Sequence, residues 1–528
     1  MLFTSFEFIG FVIVLFLLYY TVFKRHQWVL LLIASIVFYA LANPFYLIFI
    51  FASIFTIWFF AKRIQIITDG QKQAFENKEL SKLEKKEIRT SNKRKKVKWL
   101  VLGIVINFGI LIAVKYTNFF ITNINGVLSA FGKEGTIGFV DIIMPLGISF
   151  YTLQVVGYLI DVYRGTTSAE KNPLKLALFV SFFPQVIQGP ISKFSDLSKT
   201  LYSNHSFDST IFFHGLQRIM WGFFKKLVIA DRIMPAVLTI TGDVDTYGGA
   251  YAFFGMLFYT LQLYADFTGG IDITIGVAQA LGVDIKENFM RPFFSKTLKE
   301  YWRRWHITMC EWFRNYLFYP ISTSNPLLSL TQKCRKAFGE RVGRRIPVYI
   351  SSFVVWFATG IWHGANWNFI LWGLLNWAIL MVGEEIEPMA ERFHARFGLK
   401  NKAPFIAFQI IRTFLIVNIL NLFDCFAMVG ETLKAIASMF TVHNWRVIGE
   451  GALLNLGITA SDYIIIIIGI AIMLVVSIFA EKTSVLNALS HKPFYARAIL
   501  WGALFIAIVV FGAYGIGYDA SQFIYNRF

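Results

Sequence analysis

Apolar runs of about 17 to 25 residues, the length that carries a helix across a bilayer, begin near Phe6, Trp28, Phe45, Trp99, Ile142, Leu174, Ile211, Ala250, Pro347, Phe405, Ile464 and Ala498. Several are short or interrupted, so the pattern predicts roughly ten to twelve spans with re-entrant or interfacial pieces among them. The alternation of a barrel strand is absent, and in lipid only helices and closed barrels satisfy every backbone group. The fold class is therefore an all-α polytopic membrane protein, a single integral domain over residues 1–528. The first run follows Met1-Leu2-Phe3-Thr4 with no basic stretch or small-residue cleavage signal and reads as a retained helix.

Two segments break the rhythm. From Lys286 to Tyr319, Trp302, Trp305, Met309, Trp312 and Tyr316 recur at helical spacing beside Lys299, Arg303, Arg304 and Arg314, the pattern of a helix lying at the membrane interface. The stretch Pro347 to Val382 is too long for one perpendicular span and too short for two with a loop. Its interruption at His363-Gly364-Ala365-Asn366 predicts a broken helix, with irregular backbone buried in protein or lining a wet cavity. Residues 403–528 hold the carboxy-terminal helices.

Charge sets orientation. Residues 62–98 form a basic loop with 13 Lys or Arg against 5 Asp or Glu, which the positive-inside rule places in the cytoplasm, with the amino terminus outside. Lys24-Arg25-His26 and Lys333 to Arg345 fall on the same side. Much of the net charge of +18 is this bias; attraction of an acidic carrier or nucleotide donor is the other use such loops have. With 56% hydrophobic and 17% aromatic residues, the chain has more apolar surface than a soluble core could hide.

Several chemistries are excluded by missing motifs. Cys310, Cys334 and Cys425 form no CxxC pair, so neither a disulfide framework nor a metal site is expected. No phosphate-binding loop, dinucleotide fingerprint, HExxH or nucleic-acid motif occurs. What remains is a pair of histidines in aromatic surroundings, His306 in Tyr301-Trp302-Arg303-Arg304-Trp305-His306 and His363 in Trp362-His363-Gly364-Ala365. An ionisable side chain at membrane depth costs several kcal/mol unless it has a partner or a function. His363 at a helix break suits a general base facing a cavity; a structural histidine bridging two half-helices fits the same residues. His306 reads equally as an interfacial histidine bonded to a carbonyl. Asp266 follows an apolar run, where it could orient a histidine, pair with Arg304 or form a purely structural ion pair. A secondary transporter with His363 in proton coupling is a further reading of the same pattern, although no inverted repeat links the halves.

The ordered series Met144-Pro145-Leu146-Gly147-Ile148-Ser149-Phe150-Tyr151-Thr152, Phe183-Pro184-Gln185-Val186-Ile187-Gln188-Gly189-Pro190-Ile191, Tyr264-Ala265-Asp266-Phe267, Tyr301 to His306 and Trp362-His363-Gly364 resembles the membrane-bound O-acyltransferase family. Within it, the chain looks like the bacterial branch typified by the alginate O-acetylation membrane subunit. The resemblance implies a ring of helices around a central tunnel in the bacterial cytoplasmic membrane. It also implies transfer of an acetyl group from acetyl-CoA, with no bound cofactor, toward a cell-surface polysaccharide. His363 would act as the catalytic histidine, with His306 positioning or polarising the donor. Trp302, Arg304, Trp305, Asp266, Asn366 and Trp362 are candidates to bind the donor or line the tunnel. Trp302, Trp305 and Asn366 offer N–H groups for an oxyanion. An outward-facing SGNH-type protein is the partner such a subunit implies; D-alanyl transfer to teichoic acid and lipid acylation are alternative reactions of the same fold. Two departures stand out: Asn315 replaces an aspartate common in the family motif, and the tail reads Phe523-Ile524-Tyr525-Asn526-Arg527-Phe528, one aromatic short of the usual pattern.

Overall fold

Lipid offers the backbone no hydrogen bonds, so a chain this apolar folds into helices that supply their own. The computed structural model describes residues 3–76, 80–133, 137–399, 402–481, 483 and 485–514, and no strand occurs among them. The tail 523–528 lies outside the described residues. Among the described residues, seven helices are long and apolar enough to cross a membrane: Tyr46–Glu76, Lys82–Lys115, Asn325–His363, Trp367–Arg396, Ala403–Cys425, Ala460–Ala480 and Phe494–Phe511. Phe6–Tyr20 and Gln27–Ala42 are apolar but shorter. Ala250–Ala280 has 31 residues and carries Asp266 and Asp272 within its run.

The runs beginning near Ile142, Leu174 and Ile211 form shorter helices, Ile148–Arg164, Pro173–Ser181 and Ser209–Phe223. Pro184 helps end the second of these, because it has no N–H to bond the Val180 carbonyl and its ring would clash with that carbonyl if the helix ran on; the chain turns at Phe182 instead. All-α polytopic architecture is present, while these interruptions reduce the number of clean spans below the expected ten to twelve.

The chain packs as two units, one of residues 1–213 and 277–286, the other of 214–276 and 287–528. In the first, Tyr46–Glu76 and Lys82–Lys115 pack together and against Ile148–Arg164. Outside residues 77–79, the basic loop expected at 62–98 is mostly helix, continuing both spans into polar sequence. Lys, Arg, Glu and Gln are good helix formers, and the stretch holds no proline to stop them. Ser81 restarts the second helix by accepting from Glu84 N, while the Glu84 carboxylate accepts from Ser81 N. Two motif segments meet at Gly147, whose φ of 70° and position would put a Cβ 1.9 Å from the Val186 carbonyl oxygen. No other residue fits there.

The second unit contains a helical hairpin. Its arms, Asn325–His363 and Trp367–Arg396, pack along each other, and the first arm kinks at Gly339. The broken helix expected over 347–382 is therefore two helices joined by Gly364, Ala365 and Asn366. Charged residues such as Arg344, Arg345, Glu384 and Glu385 ended the apolar stretch in sequence; in the structure both helices run on through them. Gly373 sits where its Cβ would meet the Trp356 carbonyl oxygen at 2.4 Å and the Gly360 Cα at 3.2 Å. Small residues at a crossing let helix backbones approach this closely in a membrane.

Candidate active site

The turn bearing His306 is built by hydrogen bonds that compete with helix. Thr297 caps Leu298–Arg304 by accepting from Glu300 N at 3.1 Å. The helix stops because residues 288–290 pair with its last residue and the segment beyond it: Met290 N donates to Arg304 O at 2.8 Å, and Ile307 N to Asn288 O at 3.0 Å. Trp305 is extended and His306 adopts φ 46°, before a second short helix, Ile307–Phe313. A non-glycine residue in this left-handed region costs roughly 1–2 kcal/mol, which the surrounding bonds must hold. The continuous interfacial helix expected over 286–319 is thus divided at Trp305–His306. Its aromatic stripe faces protein, since Trp305, Met309, Trp312 and Tyr316 are all buried.

His306 is 1% exposed. Its ring meets Phe267 edge-on at 5.1 Å, Phe289 at 6.3 Å and Trp362 at 6.1 Å. Burial pushes its pKa down to about 3, so the imidazole is neutral at physiological pH. The Asn288 Nδ2 lies 3.4 Å from its Nδ1.

His363 is the last residue of the first hairpin arm and is half-buried. Trp362 precedes it with ring centroids 5.2 Å apart, and Trp372 on the opposite arm meets it at 4.7 Å and 66°. Trp362 therefore contacts both candidate imidazoles. Trp302 extends the cage, packing on Trp372 at 5.5 Å and Trp356 at 4.9 Å.

Other sequence candidates take different places. The Trp302 indole N–H donates to Asn376 Oδ1 at 3.0 Å, so it holds the cage and is not presented to an oxyanion. Asn366 caps the second arm, accepting from Asn368 N at 3.1 Å, while its Nδ2 donates to Ala427 O at 2.7 Å; its role is in the turn. Trp305 stacks on Tyr301 at 5.6 Å and 17°. Arg304 bonds Glu300 and Glu481, and Arg291 joins the latter. Asp266 does not pair with Arg304. It lies 2.6 Å from Lys226 Nζ, which also reaches Asp231 at 2.7 Å, three charges buried together.

Sequence reasoning did not single out Asn288, Trp356, Trp372, Asn376 or Lys226. Lys225 and Lys226 within an apolar run were the available signal, since intramembrane cations pair with something. Lys225 bonds Asp272 at 2.6 Å, and with Arg218, Glu287, Phe289 and Arg291 the pair lines a cavity of about 150 Å³.

These features define the class: a helical membrane protein that holds two histidines against one indole. The model of the MBOAT, membrane-bound O-acyltransferase family matches residues 167–331, which include His306 and stop short of His363. The chain is 35% identical over 376 residues to "Probable alginate O-acetylase AlgI" of Azotobacter vinelandii, covering 71% of this chain and 66% of that one. Identity is 34% over 375 residues to the protein of the same name in Pseudomonas putida, covering 71% and 68%. It is 31% over 390 residues to "Peptidoglycan O-acetyltransferase" of Helicobacter pylori, covering 69% and 66%. The chain spans just under two thirds of the Azotobacter relative. It belongs to the membrane-bound O-acyltransferase family.

Proposed function

We propose that this protein takes an acetyl group from acetyl-CoA on the cytoplasmic side of the bacterial cell membrane and passes it outward for O-acetylation of a surface polysaccharide. The observation that carries this reading is the contact of Trp362 with both His306 and His363. The relatives' names, which specify O-acetylation of alginate and of peptidoglycan, support the reaction class.

His363 at the half-buried hairpin end is the base. It removes the proton of an acceptor hydroxyl as that oxygen attacks the thioester carbonyl carbon, and the carbonyl π electrons move onto its oxygen. An N–H of neutral His306 polarises that carbonyl. The tetrahedral intermediate then expels the thiolate, which recovers the proton from His363. General base catalysis of this kind contributes about a hundred- to ten-thousand-fold in rate. Completion of transfer to sugar hydroxyls falls to a separate outward-facing SGNH-type protein.

The test compares ester-linked acetate on surface polysaccharide from cells with the native chain, His363→Ala or neither, with membrane levels checked. Equal loss in the variant and the null supports the reading; acetate unchanged in all three removes it.

A further inference from the structure

Two cavities of the second unit share their walls. The helix Ala250–Ala280 lines them with Leu257, Leu261, Tyr264, Thr268 and Asp272, one face at three-and-four spacing, and Ala460–Ala480 does so with Ile470, Met473, Ser477 and Ala480. Along both helices the order is the same. An apolar cavity of about 260 Å³ comes first and the charged cavity of about 150 Å³ second, with Tyr264, Arg291, Met473 and Ser477 lining both. The two form one groove, graded from apolar to charged.

The charged end has donors to spare and no net charge. The Lys225 side chain is 5% exposed, and its ammonium carries three N–H donors. Among the described residues its hydrogen bond goes to Asp272 Oδ2 at 2.6 Å, which leaves two donors in a cavity where an unmet donor is costly. The cations Arg218, Lys225, Arg291 and Arg304 are joined to the carboxylates of Asp272, Glu287, Glu300 and Glu481 by ion pairs of 2.5 to 2.9 Å, four charges of each sign. A ligand with a net charge would upset that balance. One carrying both signs would not.

We infer that this groove binds a phospholipid of the cytoplasmic leaflet whose headgroup holds a phosphate and a primary ammonium, with an acyl chain along the apolar part. Phosphate oxygens accept from Lys225, as anionic oxygens do most strongly from a cation, and the ammonium donates to Glu287, whose side chain is 53% exposed. The length agrees. Leu257 to Asp272 spans about 22 Å of helix, close to one leaflet with its headgroups, half of about 40–45 Å. The orientation agrees as well. The short helix Leu298–Arg304 links the charged end to the basic stretch, Arg304 bonding Glu481 at 2.7 Å and Lys299 bonding Glu384 at 2.5 Å, beside the Glu385 that pairs with Arg345. The positive-inside rule puts that stretch in the cytoplasm. This site is independent of the proposed acetyl transfer.

The experiment is native mass spectrometry of the full chain in detergent, titrated with ethanolamine, choline and glycerol phospholipids of identical acyl chains. The ethanolamine lipid should bind first and about tenfold more tightly than the others, the worth of one hydrogen bond to a charged group, because choline has no N–H and glycerol no cation. Lys225→Met should abolish that preference. Leu474→Trp, which fills the apolar part and alters no charge, should weaken the ethanolamine lipid by at least as much, and decides the matter alone should Lys225→Met fail to accumulate. Equal retention of the three lipids, or native binding in Leu474→Trp, overturns the inference. Displacement of the bound lipid by coenzyme A also overturns it and assigns the cations to a nucleotide's phosphates.

Discussion

The imidazole of His306 and the indole of Trp362 meet with centroids 6.1 Å apart and planes 67° apart, and the same indole lies 5.2 Å from His363. One side chain thus sets the relation between a histidine on a strained turn and a histidine at the end of a hairpin.

His363→Ala should remove acetyl transfer by about 10²- to 10⁴-fold, with membrane level and thermal midpoint close to native. The residue is half-buried and ends its helix, so the loss of its ring contacts with Trp362 and Trp372 falls at a helix terminus and leaves both arms in place. Retained transfer in a folded variant would take His363 out of the chemistry.

Trp362→Ala should lose both activity and about 3–5 kcal/mol of stability, the range for truncating a buried large aromatic. Trp362→Phe keeps a ring between the histidines and should recover most of the stability. Thermal unfolding of the two variants, set beside their kcat, separates cage from fold.

Any side chain at Gly373 forces the hairpin arms apart, since its Cβ would fall 2.4 Å from the Trp356 carbonyl oxygen. Gly373→Ala should cost about 1–3 kcal/mol and reduce accumulation in the membrane. A native midpoint would show that the arms have room to separate.

Lys226→Met leaves Asp231 and Asp266 buried without their shared cation, at a cost of about 3–5 kcal/mol. Adding Asp231→Asn and Asp266→Asn to the same chain should restore much of the loss, because the carboxylates then carry no charge. Equal instability of single and triple variants would point to packing of the lysine stem instead.

Burial by itself would raise the Glu481 carboxyl, but hydrogen bonds from Arg291 and Arg304 outweigh it and hold its pKa below the ordinary 4.5. A depressed native pKa stabilises the fold above the unfolded value and loses that contribution as pH falls through the native one. Glu481→Gln should therefore flatten the decline in thermal midpoint below about pH 4.5. An acid limb as steep as native would place its source elsewhere.

The helical membrane class was legible because it follows from runs of apolar residues alone. The two histidines stood out as ionisable groups in aromatic sequence, and their contact through Trp362 joins them in space. What sequence hid was the termination of elements. Arg345 and Glu384 looked like span ends, yet a helix continues past them as readily as before. The break at Trp305–His306 is imposed by Asn288 and Met290, so the local pattern of Trp302 to Tyr316 gave no sign of it. Partners distant in the chain were equally silent: Asn376 lies 74 positions from Trp302, and its Oδ1 takes up the indole N–H.

The turn Gly364 to Asn366 leaves the hairpin no slack. Each residue inserted in the second arm between Trp367 and Trp372 would turn the rest of that helix by about 100° around its axis, carrying Trp372 away from His363 and Asn376 away from Trp302. The segment from Trp356 to Asn376 is in effect a ruler of fixed length, and chains built on it can lengthen only outside those marks.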